Sequence, residues 1–280
     1  MVGGRNNLDE LSSAIEAPAT NKDLGQHWLR DRDTLEAIVE LADVKKTDIV
    51  LEIGPGPGDL SELLVNKAAK VVAVEIDPAL VKTLHVRFKD IANFTLIHAD
   101  IRRFDLDSMP KNYKIVANIP YYLTSYLIRI LSESHNPPQL CVLLVQKEVA
   151  ERLLAKPGKL SVLGVTAQTF WQVAAGPVVK AALFNPPPKV DSQAVRLSRR
   201  ADLPIETDLI LEMFQILNGT FNKRRKTLAN SLSSTLKTSK LVAQNLLEQA
   251  DIKSSSRPQE LSLEQWAKLT RAVFTHKHKK

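Results

Sequence analysis

Short apolar runs alternate with amphipathic segments along most of the chain. Apolar runs bounded by turn residues predict buried strands, and apolar residues spaced by three and four predict helices. The predicted strands are Ile49–Gly54, Lys70–Asp77, Phe94–Ala99, Lys114–Ala117, Leu140–Val145, Trp171–Val179 and Ala194–Leu197. Helical patterns around Leu35–Ala42 and Lys147–Leu154 flank this series, and the alternation predicts an open α/β sheet.

The pattern changes after Ala201, where strand-like runs stop and helical spacing continues. The predicted helices there are Leu209–Leu217, Leu228–Leu236, Leu241–Leu247 and Leu263–Val273. Residues 1–20 show no period and are polar, which predicts a flexible extension. We therefore predict an extension over 1–20, an α/β domain over 21–200 and a helical domain over 201–280.

Four successive predicted strands end at residues suited to binding a nucleoside. The first runs into Gly54-Pro55-Gly56-Pro57-Gly58, where a ligand can approach the backbone and face the N-terminus of a helix. Glu75 follows at a distance that suits ribose hydroxyls, and Asp100 suits an adenine amine. The G-x-G-x-G spacing differs from the G-x-G-x-x-G of nicotinamide dinucleotide enzymes, which disfavours a dehydrogenase.

The fourth strand ends in Asn118-Ile119-Pro120-Tyr121. Proline fixes its own φ and biases Ile119 toward an extended conformation, so the turn is stiff. The Asn118 side-chain oxygen and the Ile119 carbonyl are two acceptors beside the Tyr121 ring. This arrangement suits a planar exocyclic amine, and we predict Asn118 and Tyr121 as the catalytic pair.

Composition narrows the class of protein only slightly. No apolar run approaches the roughly 20 residues that span a bilayer, and the N-terminus lacks a secretory pattern. Cys141 is the only cysteine and lies in an apolar run, which predicts a buried structural thiol rather than a disulfide or a cysteine zinc site. These features predict a cytoplasmic protein without a membrane partner.

Positive charge is concentrated after Ala201, with 13 Lys and Arg against 8 Asp and Glu, out of a net charge of +7 for the chain. Four consecutive cations there, Lys223, Arg224, Arg225 and Lys226, suit phosphate contacts and are called the basic cluster below. A polyanionic partner is predicted. Phe184, in a proline-rich loop, could stack on a base.

Taken together, these segments strongly resemble the ribosomal RNA adenine dimethyltransferases, from about Asn21 to the last helix. The shared motifs, as they stand here, are LGQHWL, LEIGPGPG, VEID, the Asp100 strand end, NIPY, VQKEVAERL, FNPPPKVDS, FNKRRKTLANSL and RPQELSLEQW. The last five together are much more specific than any single motif.

The resemblance implies a class I methyltransferase with a Rossmann-like seven-stranded sheet and a small all-helical C-terminal domain. It also implies S-adenosylmethionine as methyl donor, with no metal. The residues expected at the cofactor are His27, Leu29, Gly54, Glu75, Asp100 and Asn118. The implied acceptors are adenines near the 3′ end of small-subunit rRNA in a ribosomal assembly particle, and the protein is expected to act as a monomer.

In this interpretation, Tyr121 and Phe184 enclose an extruded base from two sides. The Asn118 oxygen and the Ile119 carbonyl accept hydrogen bonds from the adenine amine, so catalysis is mainly positioning and electrostatics. Asn118 is neutral and receives no strong general-base role.

This sequence departs from the family pattern at His27-Trp28, where the family commonly has Asn-Phe, and in Lys156–Ser161, which looks shorter than usual. Two alternatives remain open besides a dehydrogenase. One is a large-subunit rRNA adenine methyltransferase of the antibiotic-resistance type, which shares the N-terminal motifs. The other is a non-catalytic RNA-binding assembly factor.

Overall fold

A computed structural model describes residues 20, 24–223 and 225–278. Its strands are β1 Trp28–Leu29, β2 Ile49–Ile53, β3 Lys70–Glu75, β4 Phe94–His98, β5 Lys114–Asn118, β6 Leu140–Gln146, β7 Trp171–Val179, β8 Phe184–Asn185 and β9 Ser192–Arg199. Its α-helices are α1 Arg32–Leu41, α2 Asp59–Lys67, α3 Pro78–Arg87, α4 Thr124–Glu133, α5 Lys147–Leu153, α6 Val162–Phe170, α7 Ile210–Phe221, α8 Leu228–Leu236, α9 Lys240–Gln249 and α10 Leu263–His278.

Seven strands form the main sheet in the order β4-β3-β2-β5-β6-β9-β7. The five strands from β4 to β6 are parallel, and β9 runs antiparallel to β6. At the centre, Leu51 of β2 pairs with Val72 on one side and Ile115 on the other. These residues are buried, which explains why the central strands read as continuous apolar runs. The predicted α/β class with a seven-stranded sheet is confirmed.

The strand order reverses between β2 and β5. From β2 the chain builds outward through β3 to β4, and it then returns to place β5 on the other side of β2. Ligands of open α/β sheets bind at such a reversal, outside the carboxyl ends of the strands. Gly54 directly follows β2 and Asn118 ends β5, so two of the predicted site residues stand at this point.

A second, two-stranded sheet was not predicted. In it β1 pairs antiparallel with β8, with Trp28 opposite Asn185 and Leu29 opposite Phe184. Two-residue strands carry no readable alternation, so the sequence pattern could not reveal them. The pairing fixes the N-terminal segment against the proline-rich loop.

The chain divides into two compact units. The first contains the described residues up to Ala150 and Ala174–Arg199, and the second contains Glu151–Val173 with the residues from Arg200 onward. Residues 151–173 thus belong to the helical unit, whereas the sequence pattern placed them in the α/β domain. Backbone hydrogen bonds to this unit explain the difference, because Gly158 donates to Gln259 and Arg200 donates to Phe170.

Each unit has its own apolar core. In the first, helices pack on the sheet around buried residues such as Leu64 and Val116. Cys141 is buried there, as predicted, and burial raises the pKa of its thiol above the usual range. In the second, the rings of Phe221 and Trp266 stack with centroids 5.9 Å apart. Within the described ranges, no helix combines the length and apolarity needed to cross a bilayer.

Candidate functional site

One cavity in the first unit collects most of the predicted site residues. The empty space within it, including the part open to solvent, amounts to about 1030 Å³. Seven residues predicted for the site line it, namely His27, Leu29, Gly54, Glu75, Asp100, Asn118 and Tyr121. Their side chains come from the N-terminal segment and from the ends of four strands, which the parallel sheet brings to one edge.

Residues of the glycine-rich turn after β2 line this cavity. Gly54, Gly56 and Gly58 all have positive φ, of 65°, 59° and 97°, which other residues rarely adopt. A Cβ on Gly58 would lie 2.7 Å from a ring carbon of Phe88, so a side chain there would force that ring to shift. A Cβ on Gly54 would meet no heavy atom within 4 Å in the described part of the chain, so the backbone there is open to a ligand.

Glu75 ends β3 with its carboxylate held in place by the backbone. One oxygen accepts from the N–H groups of Ile76 and Asp77 at 2.8 and 2.9 Å, and the other accepts from Gly56 at 3.3 Å. Burial raises the pKa of Glu75, and these three donors oppose the increase. An ionised carboxylate can accept about four hydrogen bonds, so the second oxygen retains capacity for a hydroxyl donor.

The segment beside Glu75 is tied to the N-terminal segment. Asp77 caps α3 by accepting from the Ala79 N–H at 2.9 Å. The other Asp77 oxygen accepts from Gln26 Nε2 at 2.9 Å. The N-terminal segment that lines the cavity is therefore hydrogen-bonded to the residue that caps the helix after β3.

Asp100 lines the cavity, but in this structure its carboxylate is engaged by Arg102. The guanidinium donates to both oxygens, at 2.6 to 3.0 Å, and the Arg102 backbone N–H donates to one of them at 2.9 Å. This pairing lowers the pKa of Asp100. The Arg102 side chain of this pair is 51% exposed.

Glu52 is a cavity residue that sequence analysis missed. It is 1% exposed, and one oxygen accepts from the Ser61 hydroxyl at 2.6 Å. The other oxygen is buried and has no hydrogen-bond partner among the described residues. Burial raises the pKa of Glu52 to about 8. A charged residue inside the apolar run Ile49–Ile53 was the signal that could have revealed it.

The Asn118 amide has a defined orientation. Its Nδ2 donates to the backbone carbonyl of His27 at 3.2 Å. Because a carbonyl can only accept, the amide nitrogen must face His27, and the Asn118 oxygen is directed elsewhere. Asn118 is half-buried and lines the cavity, and Ile119 beside it is buried. The side-chain oxygen remains available as an acceptor.

Two contacts restrain the Tyr121 side chain, one at its hydroxyl and one at its ring. Its hydroxyl shares a hydrogen bond of 2.7 Å with the buried Ser192 hydroxyl. Its ring stacks toward the His27 imidazole, with centroids 6.0 Å apart and planes 23° apart. Burial raises the pKa of the phenol, so Tyr121 stays neutral near pH 7. The ring therefore offers an apolar face rather than a base.

Phe184 is not where the two-sided enclosure of a base requires it. It is 4% exposed, pairs with Leu29 and packs in the core of the first unit, and it is not itself one of the residues that line the cavity. The proline-rich loop turns its ring inward because β8 joins β1. Tyr122 does line the cavity and is 57% exposed, although sequence analysis gave it no role.

The basic cluster lies in the second unit, between α7 and α8. The Lys223 amine is hydrogen-bonded to the Ser234 hydroxyl. Arg225 and Lys226 are exposed, while Arg224 lies outside the described residues. The described part of the chain contains no group of three or more His, Cys, Asp or Glu that could hold a metal ion.

The parallel sheet with its reversal of strand order, the glycine-rich turn and the acidic strand ends together characterise the class I methyltransferase fold. This fold binds a nucleoside cofactor. A family model described as ribosomal RNA adenine dimethylase matches residues 18–273. The chain belongs to this family, which confirms the resemblance found in the sequence.

Relatives and solved structures agree with this placement. Proteins named ribosomal RNA small subunit methyltransferase A are similar to the chain in Dehalococcoides mccartyi strain CBDB1 (39% identity, 89% of this chain, 86% of the relative) and Clostridium botulinum strain Kyoto (38%, 91% and 94%). A dimethyladenosine transferase from Plasmodium falciparum superposes with a TM-score of 0.78 at 29% identity, covering 90% of this chain and 98% of that one. The 23S rRNA methyltransferase ErmE gives 0.71 at 28% identity, covering 88% and 99%.

Proposed function

We propose that this enzyme dimethylates the exocyclic amine of adenines near the 3′ end of small-subunit rRNA, with S-adenosylmethionine as donor. The observation that carries the proposal is the fixed Asn118 amide, whose nitrogen is bound to the His27 carbonyl at 3.2 Å. That bond leaves the amide oxygen as an acceptor at the cavity. An acceptor is what an adenine amine requires.

The residues of the cavity fit the proposed cofactor. The Gly54 backbone is approachable, and Glu75 retains acceptor capacity on a buried carboxylate. One Glu52 oxygen is a further buried polar atom at the cavity, and it has no hydrogen-bond partner among the described residues. We assign the ribose to Glu75, the methionine part to Gly54 and the adenine amine to Asp100, which first exchanges Arg102 for the ligand. Bound S-adenosylmethionine would supply a methyl group already activated by its sulfonium.

The demanding part of the reaction is the acceptor amine. Its lone pair is delocalised into the adenine ring, so the free amine is a poor nucleophile. Hydrogen bonds from its two protons to the Asn118 oxygen and the Ile119 carbonyl would favour a pyramidal nitrogen with its lone pair aimed at the methyl group. The stiff proline turn holds both acceptors before the substrate arrives, which is electrostatic preorganisation.

Tyr121 would hold the target base. The base must leave its stack to reach the cavity, and a ring on which it stacks compensates part of that cost. The Ser192 hydroxyl fixes the Tyr121 ring from the far end. Phe184 could provide a second face only if β8 separated from β1, so one-sided stacking on Tyr121 is the simpler proposal.

The proposed partner is small-subunit rRNA in an assembly particle, bound by a monomer. Similarity to proteins named for the small subunit supports small-subunit rRNA as the substrate. The exposed Arg225 and Lys226 suit contacts with the phosphate backbone. Such contacts do not depend on the RNA sequence, and each neutralised phosphate adds to the affinity. The proposed chemistry requires no metal ion.

The test is to incubate the protein and labelled S-adenosylmethionine with unmethylated small-subunit particles, and separately with large-subunit rRNA. Mass mapping of nuclease fragments should locate dimethyladenosine near the 3′ end of small-subunit rRNA. Label on large-subunit rRNA alone would establish the alternative raised by the likeness to the 23S rRNA enzyme. RNA binding without label on either substrate would establish a non-catalytic assembly factor.

A further inference from the structure

His27 contacts three separate parts of the proposed reaction site. Its Nδ1 lies 2.7 Å from the Pro186 carbonyl, its ring stacks toward Tyr121, and its backbone carbonyl accepts from Asn118. It is half-buried at the wall of the cavity, one residue before β1. His27 thus links the proline-rich loop, the Tyr121 ring and the Asn118 amide. This geometry indicates a role for His27 beyond contact with the cofactor.

We propose that His27 is a positioning residue for methyl transfer, which joins the proline-rich loop to the Tyr121 ring. The inference rests on the proposed function. The Pro186 carbonyl can only accept, so Nδ1 donates to it in either protonation state of the ring. The imidazole is thereby fixed by the loop, and its face limits where the Tyr121 ring can move.

The pairing of β1 with β8 explains why this position carries the link. Trp28 stands opposite Asn185, so the next pair outward along the ladder is His27 and Pro186. Proline has no N–H to donate to a ladder, and a side-chain hydrogen bond from His27 Nδ1 to the Pro186 carbonyl joins the two residues. Tyr121 is then restrained by Ser192 at its hydroxyl and by His27 at its face.

The burial of Phe184 strengthens the inference. With Phe184 in the core, the aromatic ring that stacks toward Tyr121 is that of His27. A stacking residue held on one side only would tilt, and misplacement by about 1 Å can reduce a rate about a hundredfold.

Three variants separate the contribution of the His27 ring from that of its N–H donor. His27→Asn keeps an N–H donor at the same number of bonds from the backbone but removes the ring. His27→Phe keeps the ring and removes the donor, and His27→Ala removes both. All three keep the backbone carbonyl that orients Asn118, so any loss is assigned to the side chain.

The experiment is single-turnover methyl transfer at saturating S-adenosylmethionine, with cofactor affinity from calorimetry and thermal unfolding as a check on folding. We expect His27→Ala to lower the plateau rate about tenfold to a hundredfold, with a small change in cofactor affinity. His27→Asn and His27→Phe should each lose less. On a Tyr121→Ala background, His27→Ala should lower the rate by a smaller factor than it does alone.

Two results would overturn the inference. One is a normal plateau rate with weakened cofactor binding, which would make His27 a cofactor contact only. The other is a double variant whose rate falls by the full product of the His27→Ala and Tyr121→Ala factors. That result would mean that His27 acts independently of Tyr121. If His27→Ala fails to fold, the Asn and Phe variants give the same comparison. The proposed function fails separately, if the wild-type protein places no dimethyladenosine on small-subunit rRNA.

Discussion

The cavity of the first unit and the basic cluster of the second hold their side chains in opposite ways. Glu75 receives three backbone hydrogen bonds, and the Asn118 amide is fixed by the His27 carbonyl. Arg225 and Lys226 in the cluster are exposed to solvent. Burial with many partners fixes a geometry, whereas exposure leaves charge free to meet phosphates in many arrangements.

This difference assigns different tasks to the two regions. Chemistry needs groups placed to within fractions of an ångström, and only packed, hydrogen-bonded side chains provide that. Affinity for a polyanion depends mainly on how many phosphates are neutralised. We therefore expect substitutions in the cavity to change rates or cofactor binding, and substitutions in the cluster to change RNA affinity. The following predictions test this separation.

Asn118→Ala should have the largest effect. It removes one of the two proposed acceptors and leaves the proline turn and the Tyr121 ring. Methyl transfer should fall by about two to three orders of magnitude, the scale for losing one preorganised polar group. Single-turnover rates at saturating cofactor measure this, and calorimetry should show that S-adenosylmethionine still binds. A near wild-type rate would mean that the turn has only a structural role.

Glu75→Ala should weaken S-adenosylmethionine binding by about 1–3 kcal/mol, because charge-assisted hydrogen bonds to the ribose are lost. Calorimetry on the folded variant measures the change. Glu75→Gln is the matched control, since it keeps an acceptor oxygen for the backbone donors and loses the charge. Unchanged affinity in the alanine variant would remove Glu75 from the cofactor site.

Neutralising Arg225 and Lys226 to glutamine should weaken RNA binding and reduce the slope of log affinity against log salt by about one for each cation that contacts phosphate. Binding titrations at several salt concentrations measure the slope. Lys240→Gln with Lys268→Gln is the control, because it removes the same charge from exposed positions of the same unit. Equal slopes in both pairs would show that the cluster has no special role.

Glu52→Gln should change the pH dependence of stability. The folded pKa of about 8 lies above the ordinary value of 4.5, so the folded state binds a proton that the unfolded state has lost. This contribution is fully present below pH 4.5 and declines as the pH rises to about 8. Denaturation across this range should show a shallower decline in Glu52→Gln. Identical pH profiles of stability in Glu52→Gln and the wild-type protein would contradict the raised pKa of Glu52.

Sequence pattern predicted the main sheet because continuous apolar runs and glycine turns are local signals. It also predicted that Glu75 and Asn118 lie together at one edge of the sheet, since the residue that ends a parallel strand must lie at that edge. Phe184 shows the limit of this reasoning. Its orientation depends on a two-residue pairing with Leu29, which has no signature of its own.

The same limit applies to Asp100 and to residues 151–173. The motif places Asp100 at the cavity, but the Arg102 pairing depends on side-chain conformation. Residues 151–173 join the helical unit through bonds to distant residues such as Gln259. Contacts between segments far apart in sequence decide these features, and local pattern does not encode them.

The separation of tasks between the two regions is tested most directly by one titration, the single-turnover rate against RNA concentration at saturating S-adenosylmethionine. For the Arg225→Gln, Lys226→Gln variant we expect the curve to shift to higher RNA concentration and to reach the wild-type plateau. For Asn118→Ala we expect the half-saturation point to stay and the plateau to fall. A lowered plateau in the cluster variant, or a plateau restored by excess RNA in Asn118→Ala, would contradict this account.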